Sequence, residues 1–341
     1  MKRAGLKILL AQGVIAQALP MGVETGWAQS SAPAFGENCR YRAVSEQVGQ
    51  LPVDPIDEAS GMVWDPVSKS FFLINDSGDL PRFFRVKHAA LARDKVSEIH
   101  EIRFEKWKAF DLEDLSIGPC PSPLTGDCLA LADIGDNRDR RKHVEIGFVP
   151  MQTLRAETPP KKVKIEKVVR LKYPERASNA EAFAMLEQDR AVIVTKSQDR
   201  KTREAQAASV FHVDLAKATM RKVAEFDVPT WVTNKGFGGL VAGMSGVRGA
   251  RGLPPKVLLL TYQYAIELEV LSESGRNAKT KVEREEWKVR ARRVLDLDYL
   301  EQQEAVAYDD QGRFFYTTEV PMKVFGAKYA PIRMVEKVKC P

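Results

Sequence analysis

Histidine is scarce in this chain: four among 341 residues, and none of His88, His100, His143 and His212 stands at a ligand spacing from another. Zinc or copper sites built on imidazole are therefore not expected. Cysteine is equally sparse, with Cys39, Cys120, Cys128 and Cys340 and no CxxC pair. HExxH, the Walker loop and the GxSxG elbow are absent. The glycine-rich "GFGGLVAGMSG" from Gly236 lacks the strand–GxGxxG–helix setting of a dinucleotide site and reads as a closely packed strand. Charge of one sign is not in large excess. The 52 Lys and Arg against 46 Asp and Glu leave +6, dispersed along the chain, so nucleic acid is not an expected partner.

What is present begins with an export pattern. Lys2, Arg3 and Lys7 precede a mostly apolar stretch from Ile8 to Val23, and small residues at Gly26, Ala28 and Ser30 offer cleavage positions. Residues 1–30 are expected to be a signal peptide, which gives a periplasmic or secreted, monomeric protein. No later stretch is apolar enough over its length to span a bilayer. Four cysteines in an exported chain suggest two disulfides among three possible pairings. Cys120 and Cys128 bracket the loop-like "PSPLTGD" and are expected to pair, which leaves Cys39 with Cys340.

A pattern then recurs. "EASGMVWDPVSKSFFLINDSGD" from Glu58 is an apolar strand, a turn and a second apolar strand. Relatives of it start at Asp111, Asn179, Leu240 and Gln303. Aligned, they place Glu58, Glu113, Glu181, Ala242 and Glu304 in one column, spaced 55, 68, 61 and 62 residues apart. Two further extended runs, rich in Val, Ile and Phe at alternating positions, follow the first four pairs. Four strands per repeat is a propeller blade. The expected fold is an all-β, five-bladed β-propeller over residues 39–341. The last repeat lacks an outer strand, and "CRYRAVSEQV" from Cys39 is placed to supply it and close the ring. Six blades would require a further repeat within residues 271–300, where "SESGRNAKTKVEREEWKV" reads instead as an excursion with a short helix.

Early residues of innermost strands and ends of second strands share one propeller face. That face gathers the Glu column with a second one: Asp76, Asp133, Lys196, Tyr262 and Glu319. Converging carboxylates need protons, a basic partner or a cation. A hard cation with oxygen ligands, Ca²⁺ above all, suits Glu58, Asp76, Glu113, Asp133, Glu304 and Glu319. The competing reading has the glutamates bonding backbone N–H groups of neighbouring blades. Loops on the same face carry Arg138, Arg140 and Arg141, then Arg200, Lys201 and Arg203, with Trp107, Phe110, Tyr173, Trp231 and Phe237 on the entering loops.

The motifs "EASGMVWDP…FFLINDSGD", "DLEDLSIGP…LALADIGDN" and "QEAVAYDDQGRFFYTTE" resemble exported bacterial β-propeller proteins. That resemblance implies fold and not reaction. More distantly, the rhythm of acid, apolar strand and acid-rich turn is similar to calcium-dependent apyrases, five-bladed propellers with an axial calcium. The expected function is an axial site for a divalent cation and a small anionic ligand, with metal-dependent phosphoester or phosphoanhydride hydrolysis as the reaction. Glu181, Lys196, Arg138 and Arg141 are the candidate catalytic residues. The alternative is a non-catalytic propeller that binds a ligand or an envelope protein.

Overall fold

A computed structural model of the chain describes residues 39–42, 45–88, 99–247, 256–276, 283–298, 300–319, 326 and 328–336. The export-like segment and Cys340 lie outside these residues, and with them the expected Cys39–Cys340 pairing.

After β1 (Cys39–Arg42) and β2 (Ser45–Pro52), blade one is β3 (Ala59–Asp65), β4 (Ser70–Asn75), β5 (Arg82–Lys87) and β6 (Ile99–Glu105). Blade two runs through β7 (Leu112–Pro119), β8 (Asp127–Asp133) and β9 (Val144–Pro150), followed by the single turn α1 (Met151–Leu154). The chain then lays β10 (Lys162–Lys164) parallel to β6 and returns as β11 (Lys167–Leu171), the outer strand of blade two. Blade three is β12 (Ala180–Glu187), β13 (Arg190–Thr195), β14 (Ala208–Asp214) and β15 (Thr219–Phe226). After the turn α2 (Val228–Trp231), blade four is β16 (Val241–Val247), β17 (Lys256–Thr261), β18 (Tyr264–Arg276) and β19 (Glu283–Asp296). Blade five is β20 (Gln303–Tyr308), β21 (Phe314–Thr318) and β22 (Tyr329–Val335).

The five inner strands touch in the cyclic order β3, β7, β12, β16, β20 and back to β3, which makes the five-bladed ring. One hydrophobic cluster fills each seam. Phe71 of blade one lies edge-on to Phe315 of blade five at 5.0 Å, and Phe72 shares a cluster with Leu115 of blade two. Phe183 shares one with Ile146, Val194 with Val241, and Leu258 with Val306 around the remaining seams. Each second strand is therefore covered on both faces. This is why β4 (SFFLIN) and β8 (DCLALAD) are almost continuously apolar rather than alternating.

Closure follows the expected plan in part. β2 pairs antiparallel with β22 and completes blade five. Cys39–Arg42, however, does not continue that strand. It lies parallel to β19 at the outer edge of blade four, so the N-terminal segment covers two blade edges. Within residues 271–300, where an excursion with a short helix is expected, the described residues form a long antiparallel extension of β18 and β19, from Leu271↔Lys288 to Arg276↔Glu283; residues 277–282 lie outside the described residues. Alternation of Val, Trp and charged residues in "EREEWKVRARRV" suits a strand better than a helix. This extension belongs to blade four, and no sixth sheet is formed among the described residues.

Cys120 and Cys128 form a disulfide that ties the end of β7 to β8. A disulfide is compatible with a periplasmic or extracellular location. Among the described residues no helix is long and apolar enough to cross a membrane.

Candidate functional site

Every innermost hairpin carries the same irregularity. Pairing skips one residue near the start of the first strand, between Ala59 and Gly61, Leu112 and Asp114, Ala180 and Ala182, Val241 and Gly243, and Gln303 and Ala305. A residue bulged out of the ladder is re-aimed, and here five bulges face one axis. They are Ser60, Glu113, Glu181, Ala242 and Glu304.

Two expected positions are thereby corrected. Glu58 does not share the Glu column. It lies two residues ahead, in an isolated bridge with Glu319, and Ser60 fills blade one's place. In the second column, Asp133 pairs with Leu112 just as Asn75 pairs with Ala59 and Thr195 with Ala180. The residue after it, Ile134, is the equivalent of Asp76, Lys196, Tyr262 and Glu319. A slip of one residue exchanges the two faces of a strand. Ile134 is buried in the seam between blades two and three. The Asp133 carboxylate instead accepts from the Asp111 amide and from Arg141 Nη1, each at 2.8 Å.

At the axial mouth the remaining acids converge. Oxygens of Asp76, Asp111 and Glu113 lie within 4.8 Å of one another, and so do those of Asp76, Glu304 and Glu319. Lys196 answers part of this charge. Its Nζ is 3.2 Å from Glu181 Oε1 and 3.8 Å from Glu304 Oε1, and it donates to the Tyr262 hydroxyl at 2.7 Å. Tyr262 in turn donates to Glu304. Blade four, which has Ala242 in place of a glutamate, thus contributes a phenol instead. Burial alone would lower the Lys196 pKa, but Glu181 and then Glu304 outweigh it and hold the ammonium well above the ordinary range.

One ammonium does not balance the group. Burial, reinforced by Glu181 and Asp76, pushes Glu113 well above the carboxylate range. Burial likewise raises Glu304 despite Lys196, and raises Asp76. Asp111 is pushed up to about 6 by burial and by Asp76 and Glu181, and Glu319 up to about 7 by burial and Asp76. Asp111, missed in the sequence reading, is 4% exposed, and its Oδ1 is buried with no hydrogen-bond partner.

The alternative role of the glutamates, bonding to neighbouring backbone, falls to other residues. Ser60 Oγ donates to the Glu113 carbonyl at 2.7 Å. Asp114 accepts from the amides of Phe183 at 2.8 Å and Met244 at 3.1 Å, linking blades two, three and four. Ser116 accepts from Met185, and Ser245 from Tyr308, each at 3.0 Å. Glu113, Glu181 and Glu304 bond to side chains instead: Glu113 to Ser60 and Glu181, Glu181 also to Asn179, and Glu304 to Tyr262 and Glu319.

Beside the acids opens a cavity of about 580 Å³, lined in part by Ser77, Phe110, Asp111, Arg138, Arg140 and Arg141. Arg141 stacks over the Phe110 ring at 5.2 Å and bonds Asp133 and the Gly135 carbonyl, so it is fixed at the wall. Arg138 is exposed on the same loop. That loop is pinned to blade three, since Asn179 Oδ1 accepts from the Asp136 amide at 2.6 Å. Of the expected aromatic rim, Phe110 and Phe237 are exposed, and Phe237 stacks on Tyr262 at 4.2 Å. Trp107 and Tyr173 are buried, and Trp231 packs on the core of blades three and four. In the second basic loop, Arg200 is paired with Asp139 at 2.6 Å.

No protein-family model and no curated protein sequence matches the chain. Solved structures similar to it include a glucose dehydrogenase, at 12% identity and a TM-score of 0.38, covering 86% of this chain and 100% of that one. Others are the WD40 domain of coronin from Toxoplasma gondii (10%, 0.34, 82% and 58%) and the Chaetomium thermophilum Nup170 NTD–Nup53 complex (10%, 0.36, 83% and 51%). Likeness at these values carries nothing about activity, and the five-bladed fold rests on the strand order above.

Proposed function

We propose that the axial mouth binds a divalent cation, with Asp76, Asp111 and Glu113 as its protein ligands, and presents it to a phosphate-bearing ligand in the adjoining arginine-lined cavity. The single observation that carries this reading is Asp111 Oδ1: a buried carboxylate oxygen with no partner, beside two further carboxylates, at the edge of that cavity. Buried polar atoms in native folds have partners, and a hard cation supplies one. The Asp76, Glu304 and Glu319 triad is the weaker ligand set, because Glu304 already faces the Lys196 ammonium and the Tyr262 hydroxyl. Calcium fits carboxylate oxygens held in irregular geometry, and water completes its shell.

The reaction these groups suit is hydrolysis of a phosphoester or phosphoanhydride. A bound divalent cation there would polarise a phosphoryl oxygen or ease the deprotonation of its water. Arg141 and Arg138 hold the anionic group, Arg141 from a position fixed by Asp133. Glu181, bonded by Asn179 and Lys196 and adjacent to Glu113, is the carboxylate placed to take a proton from water. Lys196, 3.2 Å from Glu181 Oε1, holds that carboxylate in place, a positioning role rather than direct contact with the ligand. A screen of aryl phosphates and pyrophosphate esters with and without calcium tests this. Calcium-dependent turnover that Glu181→Gln abolishes and Lys196→Met lowers is the expected result. Calcium binding without turnover on any phosphate would leave a cation-dependent binding propeller and remove the hydrolase reading.

A further inference from the structure

Outward of the axial mouth, at the seam of blades two and three, lies another cavity of about 390 Å³. Its walls come from the loop joining β8 to β9 and the loop joining β11 to β12. Arg140, Arg141, Lys142, Lys172 and Arg176 line it, and Glu175 is the one carboxylate among its lining residues. Cations crowded around a small space repel one another and are relieved by an anion. In the same wall stands Tyr173, 5% exposed, its ring edge-on to Phe211 at 5.0 Å. The Tyr173 hydroxyl is buried and has no hydrogen-bond partner. A buried phenol normally finds one, and phenylalanine would fill the same space without stranding a donor.

The charged groups nearest that hydroxyl are Arg141, Asp136 and Asp139; an unpaired O–H donor in a wall that also carries Arg140, Lys142, Lys172 and Arg176 offers a donor set for an oxyanion. We infer that this cavity is a second, separate anion site that takes a phosphate group carried on a small ligand. The Tyr173 hydroxyl donates to a phosphoryl oxygen, and Arg140, Lys172 and Arg176 hold the charge. The volume lies within the range of small-molecule sites and leaves room for the group that carries the phosphate. The site shares Arg140 and Arg141 with the cavity at the axial mouth but none of its carboxylates. It therefore needs no divalent cation and goes beyond the function proposed above, although the two cavities share the wall that those arginines form.

Calorimetric titration of the full chain with inorganic pyrophosphate, in EDTA, tests the inference. The expected result is one saturable site whose affinity falls with added salt. Tyr173→Phe is expected to weaken it at least tenfold while the melting temperature stays level or rises, since the change removes a stranded hydroxyl. The exposed pair Lys172→Ala and Arg176→Ala together should weaken it tenfold or more without altering calcium binding at the axial mouth. Glu175→Gln should tighten it. Absence of saturable heat, or wild-type affinity in both Tyr173→Phe and the Lys172/Arg176 variant, would overturn the site. Inorganic sulfate binding as tightly as pyrophosphate would overturn its assignment to phosphate.

Discussion

The Tyr262 hydroxyl stands between Lys196 and Glu304, accepting from the ammonium at 2.7 Å and donating to the carboxylate. Lys196 is 3.2 Å from Glu181 on its other side, so one cation serves two glutamates and a phenol from three blades. Removing it leaves buried carboxylates uncompensated. Lys196→Met is expected to cost about 3–5 kcal/mol of stability, the usual range for breaking a buried pair from one side. Urea unfolding measures this, and calcium should restore part of the loss by supplying the missing positive charge. An unchanged midpoint would show that the carboxylates are already neutral.

Gly135 is where backbone must come closest to the acids. A Cβ there would lie 2.0 Å from Glu113 Oε1 and 2.5 Å from Asp111 Oδ2. Gly135→Ala therefore displaces both proposed ligands. The expected cost is about 1–3 kcal/mol from overpacking, with a fall in calcium affinity of more than about tenfold, the equivalent of 1.4 kcal/mol. Calorimetry on the folded variant reads the second effect separately from the first.

The pH dependence has a definite sign. Asp111 and Glu319 are pushed up to about 6 and about 7, so the folded chain holds their protons more tightly than the unfolded chain does. Their stabilising contribution is complete below the ordinary carboxylate range and is lost as pH rises through 6 and 7. In EDTA the melting temperature should fall between about pH 4 and pH 8. Saturating calcium, which displaces those protons, should flatten the fall. A melting temperature that climbs over that interval in EDTA would contradict the weakened acidity of Asp111 and Glu319.

Much of this arrangement is legible in the chain. The repeat that starts at Glu58 and recurs at Asp111, Asn179 and Gln303 marks the inner hairpins, because buried strands and tight turns leave a pattern of length and polarity. The bulges are not legible. Each adds one unpaired residue, and nothing in "EASGM" says whether Glu58 or Ser60 is the one re-aimed. The same uncertainty puts Asp133 where Ile134 belongs. Asp111 and Asp114 are visible in "DLEDL" as two acids flanking Glu113, yet their roles differ: Asp114 accepts backbone amides, and Asp111 keeps an oxygen bare. Only the fold separates them. The segment of residues 271–300 misled because its charges mask a strand alternation.

Calcium titration of EDTA-treated protein, followed by calorimetry and by metal content after gel filtration, tests the axial cation site most directly. Saturable binding at the axial mouth is expected, weakened at least tenfold in Asp111→Asn and in Asp76→Asn while both variants stay folded. No saturable heat with the native chain, or native affinity in both variants, would contradict it.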